Sequence, residues 1–101
     1  MNLKVSFSKT AEKNLDAVLN FIEDKWSRKS KEMFLVKFEK AISIISMNPE
    51  IFPKSSVNKK YQKCVVTKQS SLLYSFGSNE IRIHTVFDTR QNPNKIKKDI
   101  K

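Results

Sequence analysis

The sequence has few of the residues on which most metal and cofactor sites depend. Its 101 residues include one cysteine, one histidine and one glycine. One cysteine, Cys64, excludes an internal disulfide, and a single His with a single Cys cannot form a His/Cys metal site. One glycine excludes the glycine-rich loops that hold phosphates or dinucleotides. We therefore expect no metal and no cofactor, and we expect Cys64 to be a buried, inert thiol.

Long apolar runs and an export signal are also absent. No apolar stretch approaches the roughly 18 residues that a membrane span requires. Residues 1–9 lack the apolar core and the small-residue cleavage site of a secretion signal, so we expect a cytoplasmic protein without membrane contact. The 39% apolar and 30% charged residues are globular proportions. The length predicts a single domain, residues 1–101, with a basic tail at about 94–101.

Acidic residues are scarce in the second half of the chain. The net charge is +10. Residues 1–50 hold nine Lys/Arg and seven Asp/Glu, a difference of +2, whereas residues 51–101 hold eleven and three, a difference of +8. Such a field attracts polyanions, which include nucleic acid, the ribosome and acidic protein segments. Charge alone does not choose among these partners, and solubility is the simpler interpretation.

Hydrophobic periodicity predicts one strand and two helices in the first half. Residues 3, 5 and 7 are apolar and alternate with polar residues, as in a half-buried strand. Ser8 is a suitable N-cap for a first helix, and a second helix begins at Ser27 or Ser30 and ends at Asn48-Pro49. The short link predicts an antiparallel hairpin. The two predicted apolar stripes are Ala11, Leu15, Val18, Leu19, Ile22 and Trp26, and Phe34, Leu35, Phe38, Ala41, Ile42 and Ile45.

The second half predicts a basic loop, residues 49–60, followed by three strands. The strands are Tyr61–Thr67, a segment around residues 72–76, and Ile81–Asp88, with a turn at residues 77–79 that contains the only glycine, Gly77, where a positive φ costs least. Strict alternation places Ile81, Ile83, Thr85 and Phe87 on one face of the last strand, and Arg82, His84, Val86 and Asp88 on the other. The predicted fold is α+β, in the order β-α-α-β-β-β. The N-terminal helical hairpin packs on one face of a small, mainly antiparallel sheet and leaves the other face partly open.

Three segments carry a family resemblance: Val65-Val66-Thr67-Lys68, Leu72-Leu73-Tyr74, and the block from Ile81 to Pro93 that contains Arg90. With the order of elements, they resemble the RelE/ParE superfamily, the toxin halves of bacterial type II toxin–antitoxin systems, over nearly the whole chain. The resemblance implies a cognate antitoxin as partner. It also implies one of two activities: RelE-like members are ribosome-dependent ribonucleases that cut mRNA, whereas ParE-like members poison DNA gyrase and lack the nuclease residues.

Cleavage of RNA through its own 2′-OH needs a proton acceptor, and cations for the charge of the phosphorane. Arg90 matches the family's arginine at the end of the last strand, and His84 and Asp88 are the other catalytic candidates. The nuclease branch often has a Tyr or His soon after that arginine, but residues 91–96 contain neither. Its middle-strand arginine falls on Ser71, and Gln62 stands where many relatives have arginine.

These departures favour a ParE-like toxin that acts on DNA gyrase. Two alternatives remain: a RelE-like, ribosome-dependent mRNA endonuclease, and a remnant that binds antitoxin without being toxic. The candidate residues for binding nucleic acid or another target are the basic ones of the second half, Lys54, Lys59, Lys60, Lys63, Lys68, Arg82 and Arg90.

Overall fold

A computed structural model describes residues 3–89 of the chain, so Arg90 and the predicted basic tail lie outside the described residues. The elements are β1 (Lys4–Phe7), α1 (Lys9–Lys25), α2 (Arg28–Met47), β2 (Gln62–Val65), β3 (Ser70–Phe76) and β4 (Glu80–Asp88). The four strands form one sheet in the order β1-β4-β3-β2, in which β1 runs parallel to β4 and the other pairs are antiparallel. The predicted α+β class and β-α-α-β-β-β order are confirmed. Neither helix within residues 3–89 has the length and apolarity needed to cross a membrane.

Both helices begin at serine caps. The Oγ of Ser8 accepts a hydrogen bond from the Ala11 N–H at 3.0 Å, and the Oγ of Ser27 accepts one from the Ser30 N–H at 3.0 Å. Each cap satisfies an N–H group that has no partner within the first turn of a helix. The second helix ends just before Pro49, as predicted.

The main core lies between the helical hairpin and one face of the sheet. Its buried side chains are Ala11, Val18, Ile22, Phe34, Phe38, Ala41 and Ile45 from the helices and Cys64, Leu72, Tyr74, Ile81, Ile83 and Val86 from the sheet. Burial of one such large aliphatic or aromatic side chain contributes roughly 1.5–3 kcal/mol, so this face supplies most of the driving force for folding. The predicted burial of Cys64 is confirmed.

Trp26 is the exception to the predicted stripes. It was expected in the apolar stripe of the first helix, but its side chain is 52% exposed. It is the C-cap of α1, with a non-helical backbone (φ −123°, ψ −80°), so the helical period no longer sets its direction. Its ring instead meets Phe21 edge-on, with 5.7 Å between the ring centroids.

The loop between α2 and β2 is fastened to the sheet. The hydroxyl of Tyr74 donates to the carbonyl oxygen of Pro49 at 2.6 Å. The Lys63 N–H donates to the Pro53 carbonyl at 2.8 Å, and an isolated bridge pairs Lys54 with Gln62. Residues 53–55 therefore cover the first part of the outer edge of β2.

One strand boundary predicted for the second half is wrong, and the turn at Gly77 does not use the conformational freedom of glycine. The second strand ends at Val65 rather than Thr67, because Thr67 forms a turn in which its carbonyl and side-chain oxygens accept from the Ser70 N–H. Gly77 does not take a positive φ. Its N–H closes the β3–β4 turn on the Glu80 carbonyl at 2.9 Å, a geometry that does not need glycine.

A β-bulge in β4 changes which residues face the helices. Leu73 of β3 pairs with Thr85, but the next residue, Tyr74, pairs with Ile83, so His84 is the extra residue. Beyond the bulge, Val86 faces the core, and Thr85 and Phe87 do not. The predicted grouping of Thr85 and Phe87 with Ile83 is therefore wrong, because an inserted residue moves every later side chain of the strand to the opposite face.

The start of α1 stabilises the bulge. Since β1 pairs with β4 only as far as Ile83, the backbone of β4 beyond that residue needs other partners. Ser8 donates its N–H to the Ile83 carbonyl at 2.9 Å and its hydroxyl to the His84 carbonyl at 3.0 Å. The Asn14 Oδ1 accepts from the Val86 N–H at 3.3 Å. The same serine thus caps α1 and holds the bulge in place.

Candidate functional site

The face of the sheet turned away from the helices is the candidate site, and we call it the open face. Side chains of paired residues on neighbouring strands lie on the same face of a sheet. Lys63 pairs with Leu73, Arg82 with Ser75, and Phe87 with Ser71. The accessible side chains of the open face include those of Tyr61, Lys63, Val65, Ser75, Glu80, Arg82, His84 and Phe87, while Leu73 and Thr85 are buried beneath them.

His84 is held in the middle of the open face. Its Nε2 lies 2.8 Å from the Oγ of Ser75, and its ring centroid lies 4.4 Å from that of Tyr61 at an interplanar angle of 34°. Burial and then the charge of Arg82 lower the pKa of His84 below its ordinary value. The imidazole is therefore neutral near pH 7, and one ring nitrogen carries a lone pair that can accept a proton.

Two cations flank this histidine. The Nζ of Lys63 lies 5.9 Å from the centroid of the Phe87 ring, within the range of a cation–π contact. Arg82 is exposed, and its Nη1 donates to the Oγ of Ser6 at 3.4 Å. Lys63 thus places a charge beside an aromatic ring and Arg82 adds an exposed charge on the same face, and cations with accessible rings are the combination that binds an anionic chain with planar groups.

Asp88 lies on the other face of the sheet. The sequence placed Asp88 and His84 on the same strand face, and this prediction is wrong because the bulge separates them. Asp88 is 1% exposed, and its Oδ2 accepts a hydrogen bond from the Ser70 hydroxyl at 2.7 Å. The two groups therefore cannot act together on one substrate. Alternation instead places Glu80 on the open face, at the start of β4 opposite Lys4.

The remaining predicted cations are dispersed around β2. Lys54 lies beside the outer edge of that strand, and Lys59 and Lys60 precede it. Lys68 is exposed in the turn that follows it, at the opposite end. The structure thus brings together Lys63, Arg82 and His84 and places the other lysines around them as an exposed rim. Arg90 lies outside the described residues.

Sequence reasoning missed the aromatic and hydroxyl members of this face. Tyr61 and Phe87 were taken only as strand residues, and Ser75 only as an alternating polar position. Tyr61 lies two residues before Lys63, so the period of two would have placed both on one face. No such signal was available for Phe87, since its face depends on the bulge. Within residues 3–89, no three His, Cys, Asp or Glu side chains lie together as metal ligands would.

Comparison with known proteins shows a likeness in structure but not in sequence. No protein-family model matches the sequence, and no curated protein matches it. A chain from the chromosomal ParDE TA system of P. aeruginosa has a TM-score of 0.72 at 10% identity, over 85% of this chain and 95% of that chain. A chain from the E. coli DinJ-YafQ toxin-antitoxin complex has a TM-score of 0.61 at 11% identity, over 91% and 98%.

YafQ from E. coli strain BL21(DE3) is a further structural neighbour. Its TM-score is 0.60 at 13% identity, over 87% of this chain and 94% of that chain. At such low identity the likeness concerns the fold, and it extends over almost the whole of each neighbour. The predicted architecture, in which a helical hairpin packs on a mainly antiparallel four-stranded sheet, is the one these structures share. The chain therefore has the fold of the RelE/ParE superfamily.

Proposed function

We propose that the protein is the toxin of a bacterial type II toxin–antitoxin system, of the ParE-like kind. In this proposal it arrests growth by acting on DNA gyrase in the cytoplasm, and a cognate antitoxin neutralises it. The observation that carries the proposal is the structural comparison, because the TM-score is 0.72 for the ParDE chain and 0.60–0.61 for the YafQ chains.

The chemistry of the open face supports a toxin that does not cleave RNA. Asp88, the acid expected to act beside His84, lies on the opposite face of the sheet. Ser71, at the position where the nuclease branch carries an arginine, is buried between its neighbours on β2 and β4. Gln62 pairs with the buried Tyr74 and so points to the helix side of the sheet. The described open face therefore presents cations and rings, and Asp88, the carboxylate expected beside His84, is not on it.

A RelE-like mRNA endonuclease is the second candidate, and one observation favours it. His84 is a neutral imidazole between Lys63 and Arg82 on a single accessible face. A neutral imidazole can take the proton of a 2′-OH, and the two cations can stabilise the charge that develops on the phosphate. Under this candidate His84→Gln lowers RNA cleavage by roughly 10²–10⁴-fold, the usual effect of losing a general base.

The experiment is induced expression of the chain in bacteria that lack a partner for it. We expect growth arrest, intact transcripts and accumulated gyrase–DNA cleavage complexes. If transcripts are cut in the ribosomal A site and no gyrase–DNA cleavage complexes accumulate, the ParE-like proposal is refuted in favour of the endonuclease. Unimpaired growth at full expression would refute both activities and leave the antitoxin-binding remnant.

Paired variants connect the outcome to the open face. Lys63→Ala with Arg82→Ala removes two positive charges from that face, and we expect it to relieve growth arrest. Lys9→Ala with Lys13→Ala removes the same charge from exposed positions on α1, and we expect arrest to persist. Circular dichroism of both purified proteins checks that each remains folded. Equal relief by both pairs would mean that net charge, and not the open face, determines toxicity.

A further inference from the structure

The second half of β4 can pair with β3 in two registers. In the observed, bulged register His84 is the extra residue. Thr85 and Phe87 therefore face the open side, and Val86 faces the core. In the regular register the strand continues without a bulge, and every side chain after His84 points the opposite way. Thr85 and Phe87 then lie against the helices, and Val86 and Asp88 lie on the open face.

The contacts between β3 and β4 do not by themselves choose the register. The hydroxyl of Ser70, which donates to Asp88 at 2.7 Å, favours the bulge. Burial of the Phe87 ring in place of the smaller Val86, and a ladder without an unpaired residue, favour the regular register. Because these contributions oppose each other, contacts on the other edge of β4 determine the outcome.

Two consecutive carbonyls of β4 point to the start of α1. In a regular strand the backbone groups of successive residues point alternately to the two neighbouring strands. The carbonyls of Ile83 and His84 nevertheless accept from one residue, Ser8. The first accepts from its N–H at 2.9 Å and the second from its hydroxyl at 3.0 Å. The hydroxyl bond requires the bulged register, because a regular strand turns the His84 carbonyl toward β3.

Asn14 provides a second contact that depends on the register. Its Oδ1 accepts from the Val86 N–H at 3.3 Å. In a regular strand this N–H points to β3, since the carbonyl of Ile83, three positions earlier, points to α1. Both side-chain bonds from α1 and its cap are therefore specific for the bulge and are lost when β4 becomes regular.

We propose that Ser8 and Asn14 are positioning residues of the open face, because they hold β4 in its bulged register. They keep the Phe87 ring beside Lys63 on that face and the carboxylate of Asp88 on the other. Loss of these bonds allows the regular register, which exchanges the ring for the carboxylate and makes the open face less positive. The effect on activity rests on the proposed function, under which the open face acts on the target.

The test follows a thiol introduced by Val86→Cys in the whole chain. Val86 is 2% exposed in the bulged register and lies on the open face in the regular one. The rate at which a thiol reagent labels this position therefore measures how often the regular register forms. Cys64, the chain's own cysteine, is 0% exposed and is the internal reference, because its labelling reports opening of the core. Mass spectrometry of the digested protein distinguishes the two thiols.

Ser8→Ala and Ser27→Ala form a matched pair of variants. Both remove the N-cap hydroxyl of a helix, but the Ser27 hydroxyl bonds to Ser30 of its own helix. We expect Ser8→Ala to speed labelling of the introduced thiol roughly 2- to 13-fold relative to Cys64, which is the effect of one net hydrogen bond. Ser27→Ala is expected to leave that ratio unchanged. Ser8→Thr keeps the hydroxyl, and we expect it to retain the slow rate.

Asn14 keeps the test decisive even if Ser8→Ala does not fold, since Asn14 takes no part in the cap. Asn14→Leu removes the acceptor and is expected to speed labelling of the introduced thiol, whereas Asn14→Asp keeps an acceptor oxygen and is expected not to. Equal acceleration at the introduced thiol and at Cys64 would overturn the proposal, because the substituted residue would then stabilise the whole fold. The same selective acceleration in Ser27→Ala would overturn it too, because loss of any helix cap would then suffice.

The growth assay distinguishes this inference from the proposed function. We expect Ser8→Ala to relieve growth arrest and Ser27→Ala, at equal expression, to leave it unchanged. Selective labelling in a chain that never arrests growth refutes the toxin activity and leaves the positioning role supported. Growth arrest in a chain without selective labelling refutes the positioning role alone.

Discussion

Tyr74→Phe tests the hydrogen bond that fastens the loop after α2 to the sheet. Tyr74 is 0% exposed in β3, and its hydroxyl donates to the Pro49 carbonyl at 2.6 Å. The substitution keeps the ring and removes this donor from a partly buried carbonyl, which costs about 1–3 kcal/mol. In a domain of this size each kcal/mol lowers the Tm by about 4–8 °C, so we expect a fall of roughly 4–24 °C.

Two assays measure this effect. Urea unfolding followed by circular dichroism gives the change in the free energy of unfolding. Limited trypsin digestion reports the loop itself, because Lys54, Lys59 and Lys60 are cleavage sites there, and we expect faster cutting in Tyr74→Phe.

The matched control is Tyr61→Phe, which removes the same atom from the chain's other tyrosine, half-buried on the open face. We expect this control to change stability by less than about 0.5 kcal/mol. If both variants lose the same stability, or if trypsin cuts the loop of Tyr74→Phe no faster, the reasoning fails.

Three further predictions concern pH and the β3–β4 turn. Burial raises the pKa of Cys64 from 9.0 to about 11, so its contribution to stability is complete below about pH 9 and is lost as pH rises toward 11. Between pH 8 and 10 this ionisation lowers the unfolding free energy by about 1.4 kcal/mol, and Cys64→Ser should abolish that decrease. The lowered pKa of His84 has the opposite effect. Its contribution to stability is complete above the ordinary pKa of 6.5 and is lost as the ring becomes protonated at lower pH. His84→Gln should therefore reduce the dependence of Tm on pH between about pH 7 and 5. Gly77→Ala should raise the unfolding free energy by about 0.4–1 kcal/mol, because a Cβ there meets nothing within 4 Å and φ is not positive; a loss of stability would contradict the turn geometry.

The sequence predicted the parts of the fold that depend on neighbouring residues. Ser8 and Ser27 cap the helices and Pro49 follows the second, because capping and the restriction of proline act within one turn. The exposure of Trp26 was not predicted, since a stripe of apolar residues does not show where the helical backbone stops. The anchor of the loop was not predicted either, because Tyr74 and Pro49 are 25 residues apart.

The sequence predicted which charged residues belong to the candidate site but not how they are arranged in space. Lys63, Arg82 and His84 are visible in the sequence as basic or titratable strand residues. Their shared face, and the separation of Asp88 from it, depend on a bulge held by Ser8, a residue 76 positions from His84. Periodicity is a property of a single strand, so it contains no information about a contact between residues as distant in sequence as Ser8 and His84.

The pairing of β1 with β4 has a consequence for synthesis of the chain. The first strand pairs with the last, and β4 separates β1 from β3 in the sheet. While a ribosome makes residues 1–79, the helical hairpin and the β2–β3 pair can form, but β1 has no strand to pair with and the sheet that covers the apolar stripes of the hairpin is incomplete. The open face, which contains Arg82, His84 and Phe87, is therefore complete only after residues 80–88 have emerged. We expect a nascent chain of this fold to expose apolar surface until then, and a truncation before β4 to yield a product that aggregates rather than a smaller working protein.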